Sequence, residues 1–221
     1  MKAFWRNNSL SIVMLSLFAV TFVGQSITGW LTLNDQRQEH AAAPLRLVDY
    51  LRSGAFVEAT AENWESEFLQ MYVYVIFTVF LLQKGSAESK PLHRKANVDE
   101  DPRVHAHEPG VPGPVRRGGW RLKVYERSLS LALFMLFLMS FSMHALGGRA
   151  AVNEQRRLHG QPTIALSEYV GSAQFWFESL QNWQSEFLSI AAMVLLSITL
   201  RQRGSPESKP VATPHQITAP E

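Results

Sequence analysis

Four stretches of this chain carry no charged side chain over lengths that constrain the fold more than any motif. They are 28 residues between Arg6 and Asp35, 16 between Glu67 and Lys84, 21 between Arg127 and Arg149, and 14 between Glu186 and Arg201. A helix rises about 1.5 Å per residue, so crossing about 30 Å of hydrocarbon takes about 20 residues. The first and third stretches meet that length directly. The second and fourth meet it when the helix begins near Asn63 and Asn182, with Trp64 and Trp183 at headgroup level. Phe68–Leu82 and Leu129–Phe141 are apolar all round, without the polar stripe of a soluble bundle helix.

The chain repeats itself at a constant offset. Asn63-Trp64-Glu65-Ser66-Glu67-Phe68-Leu69 recurs as Asn182-Trp183-Gln184-Ser185-Glu186-Phe187-Leu188, 119 residues on. Gly85-Ser86-Ala87-Glu88-Ser89-Lys90-Pro91 recurs as Gly204-Ser205-Pro206-Glu207-Ser208-Lys209-Pro210 at the same offset of 119. His40, Tyr50, Ser53 and Phe56 match His159, Tyr169, Ser172 and Phe175 in the same way. The expected fold is an all-α membrane protein. Four transmembrane helices form two tandem helix–loop–helix repeats in parallel orientation, with helical outer caps. Residues 1–91 form the first repeat, with spans at about 9–30 and 64–84 and an outer loop over 31–63. Residues 120–204 form the second, with spans at about 127–148 and 183–202 and a loop over 149–182. The Pro/Gly-rich linker 92–119 and the tail 205–221 read as disordered and cytoplasmic. The N-terminal apolar run resembles a signal peptide. Its counterpart Leu129–Leu146 is internal, so the first is expected to be a retained span.

Charge sets the orientation. Fifteen Lys and Arg fall on the side of the linker and both termini, against six in the two long loops. Cytoplasmic loops carry the excess of Lys and Arg, so both termini should be cytoplasmic and the long loops outside. Trp5 and Trp120 then flank the inner side as interfacial anchors, and Trp30, Trp64, Trp176 and Trp183 the outer side. Arg116, Arg117, Arg121 and Lys123 suit anionic lipid at the inner leaflet. Gly85 and Gly204, each after a basic residue, read as helix C-caps.

The mean hydropathy of −0.06 and net charge of +2 are therefore sums of opposed segments. The mild basicity points to no nucleic-acid surface, and the absence of Cys excludes disulfides, thiol nucleophiles and iron–sulfur clusters. His93, His105 and His107 lie in a tether too flexible to hold a metal. No catalytic, cofactor-binding or metal-ligating residue is assigned.

Two polar pairs stand out. Gln25 and Glu67, and their equivalents His144 and Glu186, lie near the outer ends of partner spans. Both read as interhelical hydrogen bonds, and the His144–Glu186 pair reads alternatively as proton-sensitive. In the outer loops, Leu45, Leu47, Tyr50, Leu51 and Phe56, with Ile164, Leu166, Tyr169, Val170 and Phe175, suit short amphipathic helices. These serve either as a binding platform or as a cap over the helix ends.

Gly24-Gln25-Ser26-Ile27-Thr28-Gly29-Trp30, the Asn-Trp-x-Ser-Glu-Phe-Leu run and the Gly-Ser-x-Glu-Ser-Lys run together resemble a family of small bacterial multi-pass membrane proteins. That family is known by a domain-of-unknown-function label. The resemblance covers nearly all of the chain outside the linker and tail, and implies a bacterial inner-membrane location without an activity. The second repeat departs from the first motif, reading Met143-His144-Ala145-Leu146-Gly147-Gly148-Arg149. The expected function is non-catalytic: outer caps that contact a partner or organise the envelope. The alternative is a small transporter or channel, completed by oligomerisation. The bilayer, a second copy and another membrane protein are the expected partners.

Overall fold

A computed structural model describes residues 2–93 and 95–218. Among the described residues the fold is all-helical, without a strand. The long helices are α1 (Lys2–Glu39), α3 (Gly54–Phe80), α6 (Ser128–Leu158) and α8 (Ala173–Thr199). The short ones are α2 (Leu47–Tyr50), α4 (Gly113–Arg117), α5 (Gly119–Tyr125) and α7 (Leu166–Val170). Both bounds of α8 lie 119 residues beyond those of α3.

Two helices, α1 over Phe4–Glu39 and α6 over Ser128–Leu158, are long and apolar enough to cross a membrane. Only 6% of the most apolar window of α1 and 17% of that of α6 is buried, so neither is a core helix of this chain. Leu10, Val20, Leu129 and Met135 are exposed, while Ser26, Ser66, Gln70 and Ser140 are buried. That inverts the usual soluble pattern of apolar residues inside and polar residues outside.

The long helices outrun their apolar stretches. α1 continues to Glu39 because Leu31–Glu39 contains good helix formers and no proline; the first in the chain is Pro44. α3 and α8 start well before Asn63 and Asn182, at Gly54 and Ala173. Ser53 and Ser172 cap those starts, each hydroxyl accepting from the backbone N–H three residues on, at 3.3 and 3.2 Å. The expected loops 31–63 and 149–182 are therefore largely helix, broken only around α2 and α7.

The chain divides into two compact units that cut across the expected domains: Met1–Ala61 with Ser142–Trp176, and Glu62–Phe141 with Phe177–Glu221.

In the first unit, α1 and α6 end in matching turns. The Ala42 N–H bonds the Arg37 carbonyl at 2.8 Å, and the Gln161 N–H bonds the Arg156 carbonyl at 2.8 Å. The intervening residue is left-handed in both: Gly160 at φ 67°, but Ala41 at φ 53°. A Cβ in that region costs roughly 1–2 kcal/mol. Ala41→Gly is therefore expected to stabilise the protein by about 1 kcal/mol, read as a raised Tm. Beyond each turn the chain is clamped back by an asparagine. Asn34 Nδ2 donates to the Leu45 carbonyl (3.0 Å) while its Oδ1 accepts the Leu45 N–H (2.7 Å). Asn153 does the same with Ile164, at 3.1 and 2.7 Å.

In the second unit, the segment expected as a disordered linker carries helical turns at Asn97–Asp99 and Pro102–His105, followed by α4 and α5. His105 sits between two carboxylates, with Nδ1 at 2.6 Å from Glu108 and Nε2 at 3.3 Å from Glu100. The Glu108 bond, then the Glu100 bond, raise its pKa above the ordinary 6.5. A raised folded-state value means these ion pairs are fully present below the unfolded pKa and are lost as pH rises through the folded one. An NMR titration is expected to give His105 a pKa above 6.5, and Glu108→Gln to bring it back toward that value.

The tail also differs from the expected disorder. Gly85 and Gly204 do not terminate helices directly. They form left-handed turns (φ 84° and 87°) several residues past the ends of α3 and α8. Ser89 Oγ accepts the Gln83 N–H, and Ser208 Oγ accepts the Gln202 N–H, both at 2.9 Å. Lys209 is buried, and its ammonium donates to the carbonyls of Gly85, His215 (3.1 Å) and Ile217 (2.9 Å).

Candidate polar cleft

The first unit is assembled around glycines. A Cβ on Gly54 would lie 2.6 Å from the Gly147 carbonyl oxygen, and one on Gly147 would lie 2.7 Å from the Glu58 nitrogen. The backbones of α3 and α6 thus touch here, as small residues allow. Gly148 gives Tyr169 its place, since a Cβ there would come within 2.6 Å of the tyrosine Cζ. Gly29 gives Tyr50 its place in the same manner. Both tyrosines are buried, and each ring meets a phenylalanine edge-on: Tyr50 with Phe56 and Tyr169 with Phe175, both at 5.4 Å. The Tyr169 hydroxyl donates to Glu58 Oε1 at 3.2 Å.

These contacts leave a cleft of about 680 Å³ within the first unit, between the ends of α1, α3 and α6. Gln36, Arg37, Glu39, His40, Asp49, Glu58, Glu154, Gln155 and Gln174 give it polar walls. Arg37 holds Glu154 at 2.9 Å and the Ala43 carbonyl at 2.8 Å. Asp49 pairs with Arg46 at 2.8 Å, which holds its carboxyl below the usual range. Of the four lining carboxylates, Asp49 is held by Arg46 and Glu154 by Arg37 and Arg157, so the acidic balance of the lining rests on Glu39 and Glu58. Such a surface attracts cationic and hydrogen-bond-donating groups.

Of the four residues of the expected polar pairs, Gln25 and His144 belong to the first unit, Glu67 and Glu186 to the second. Gln25 Nε2 donates to the Ala59 carbonyl at 3.3 Å. His144 is fully buried and stacks on Phe175 at 4.9 Å. Glu67 is exposed, and the Glu186 carbonyl accepts from Gln70 Nε2 at 2.8 Å. Among the tryptophans, Trp5, Trp120 and Trp176 are exposed, and Trp64 is half-buried. Trp30 and Trp183 act as internal donors, to the Leu45 carbonyl at 2.7 Å and to the buried Glu65 carboxylate at 2.9 Å. Arg121 lies over the Trp120 ring at 5.7 Å.

Glu58 and Glu65 escaped the sequence reading because the repeat does not preserve them: Phe177 and Gln184 stand at the equivalent positions. Their lack of symmetry was the available signal.

Residues 1–220 match a protein family described as a domain of unknown function (DUF6766). No curated protein and no solved structure matches the chain.

Proposed function

We propose that this chain, which belongs to the DUF6766 family, is a non-catalytic membrane protein whose outer caps dock a cationic partner group. In this reading four helices span a bacterial inner membrane as two tandem repeats in parallel orientation. Both termini face the cytoplasm. The outward-facing apolar side chains of α1 and α6, the common offset of 119 between α3 and α8, and the Lys/Arg bias of the linker support it. The observation that carries the docking role is the acidic cleft. It is built where helices continue past their apolar stretches, so its position follows from extra structure that spanning alone does not require.

A second reading, a small transporter or channel completed by oligomerisation, draws on one observation. The buried side chains of the long helices include Ser26, Ser66, Gln70, Ser140, Ser179 and Ser197. In this second reading those side chains line a solute path rather than serving only as hydrogen bonds within and between helices. Sealed proteoliposomes holding the purified chain are expected to keep the permeability of protein-free vesicles. A photo-crosslinker at Gln36 or at Gln155 should capture the same species from intact membranes, and one at Val104 should not. Protein-dependent solute flux would replace the docking reading with the transport reading; no adduct specific to the cleft would remove the docking role.

A further inference from the structure

We propose that His40 and His159 form a divalent transition-metal site that ties the outer end of α1 to that of α6. The two imidazoles meet with ring centroids 4.6 Å apart and planes at 69°. Two imidazoles on one zinc-like ion, each about 2.0–2.1 Å from it through nitrogen, bring their centroids to about 5 Å. The observed separation is therefore of the size that two imidazoles on one ion require.

The tautomer is already suited to it. His159 Nδ1 lies 2.8 Å from the Gln155 carbonyl oxygen. That oxygen can only accept, so Nδ1 carries the proton and Nε2 keeps its lone pair. A metal-bound histidine ordinarily donates its other ring N–H to such a carbonyl, which fixes the ring and raises its basicity.

The backbone holds the pair in register. His40 and His159 each follow the last residue of a long helix, Glu39 and Leu158, and precede the left-handed residue of the turn. The Arg37–Glu154 ion pair, 2.9 Å long, joins the same two helix ends. His40 also lines the cleft, so water can reach the pair and complete a coordination sphere. Imidazole donors suit zinc(II) or copper(II).

The test is zinc binding to the full chain in detergent at neutral pH, by equilibrium dialysis and calorimetry. One Zn²⁺ per chain is expected, in the micromolar range. His40→Ala and His159→Ala should each weaken it by at least about tenfold, with unchanged helical circular dichroism. A His93→Ala/His105→Ala/His107→Ala triple variant should bind as the parent does. Lowering the pH below the imidazole range should release the ion. Absence of binding at millimolar Zn²⁺, unchanged affinity in either single variant, or loss only in the triple variant would overturn the assignment.

Discussion

Gly147→Val is expected to abolish accumulation of folded protein in the membrane, and Gly147→Ala to lower stability by about 1–3 kcal/mol. The reason is what the added carbon meets. It would come within 2.7 Å of the Glu58 nitrogen and 2.8 Å of Val57 Cγ1. The first is main chain and cannot swing away as a flexible side-chain tip could. Opposite it, a Cβ on Gly54 would meet the Gly147 oxygen and the Ala151 nitrogen, both at 2.6 Å, so the tight approach is mutual. Separating the helices here also withdraws Glu58 from the Tyr169 hydroxyl and opens the floor of the acidic cleft. Gly24→Ala is the matched control. It lies within α1 with nothing inside 4 Å of its added carbon. It should be neutral or stabilising by up to about 1 kcal/mol, through helix propensity alone. Thermal melts of the purified variants in one detergent distinguish these outcomes.

Lys209→Met is expected to release the tail. The buried ammonium donates to three carbonyls, and burial together with the Arg201 charge depresses its pKa below that of an ordinary lysine. Methionine preserves the length of the stem but offers no donor, leaving three carbonyls to find water. The loss is about 3 kcal/mol, because hydrogen bonds to a charged group are the stronger kind and unmet buried acceptors are costly. Only local structure depends on it. The Thr218 hydroxyl, which accepts the Gly85 N–H at 2.9 Å, and the Arg201 guanidinium, which donates to the Thr213 carbonyl at 3.1 Å, should come free with the tail. Limited proteolysis should then cut within residues 205–218 much faster than in the parent, with little change in Tm. Lys209→Arg tests whether charge alone suffices. It is expected to restore partial protection, since a planar guanidinium fits a three-carbonyl cradle less well than an ammonium.

The long helices were legible because each of α1, α3, α6 and α8 contains most or all of one uncharged stretch. Their ends were not. Membrane arithmetic stops a helix where apolarity stops, whereas helix propensity carries α1 through Asn34-Asp35-Gln36-Arg37 to Glu39. The same difference hid the cleft, whose walls are these polar extensions. Gly147-Gly148 read as a departure from the Thr-Gly-Trp pattern. Its meaning lies in a contact with α3 and with Tyr169, which no local periodicity encodes. The matching of His40 with His159 was visible as an offset. Their meeting depends on two left-handed turns and an ion pair between helices, both properties of the folded chain. The Pro-rich tail read as disordered from its composition. Composition carries no trace of the contact found there, a buried lysine donating to three carbonyls.

The orientation is the most direct test, and the chain suits it because it contains no cysteine. Single substitutions Ala43→Cys, Gln161→Cys, Val104→Cys and Val211→Cys place one thiol in each of the two long loops, the linker and the tail. In intact cells a membrane-impermeant maleimide should label positions 43 and 161, and should reach 104 and 211 only after permeabilisation. Labelling of positions 43 and 161 from opposite sides, or equal labelling of all four in intact cells, would contradict the four-span parallel arrangement.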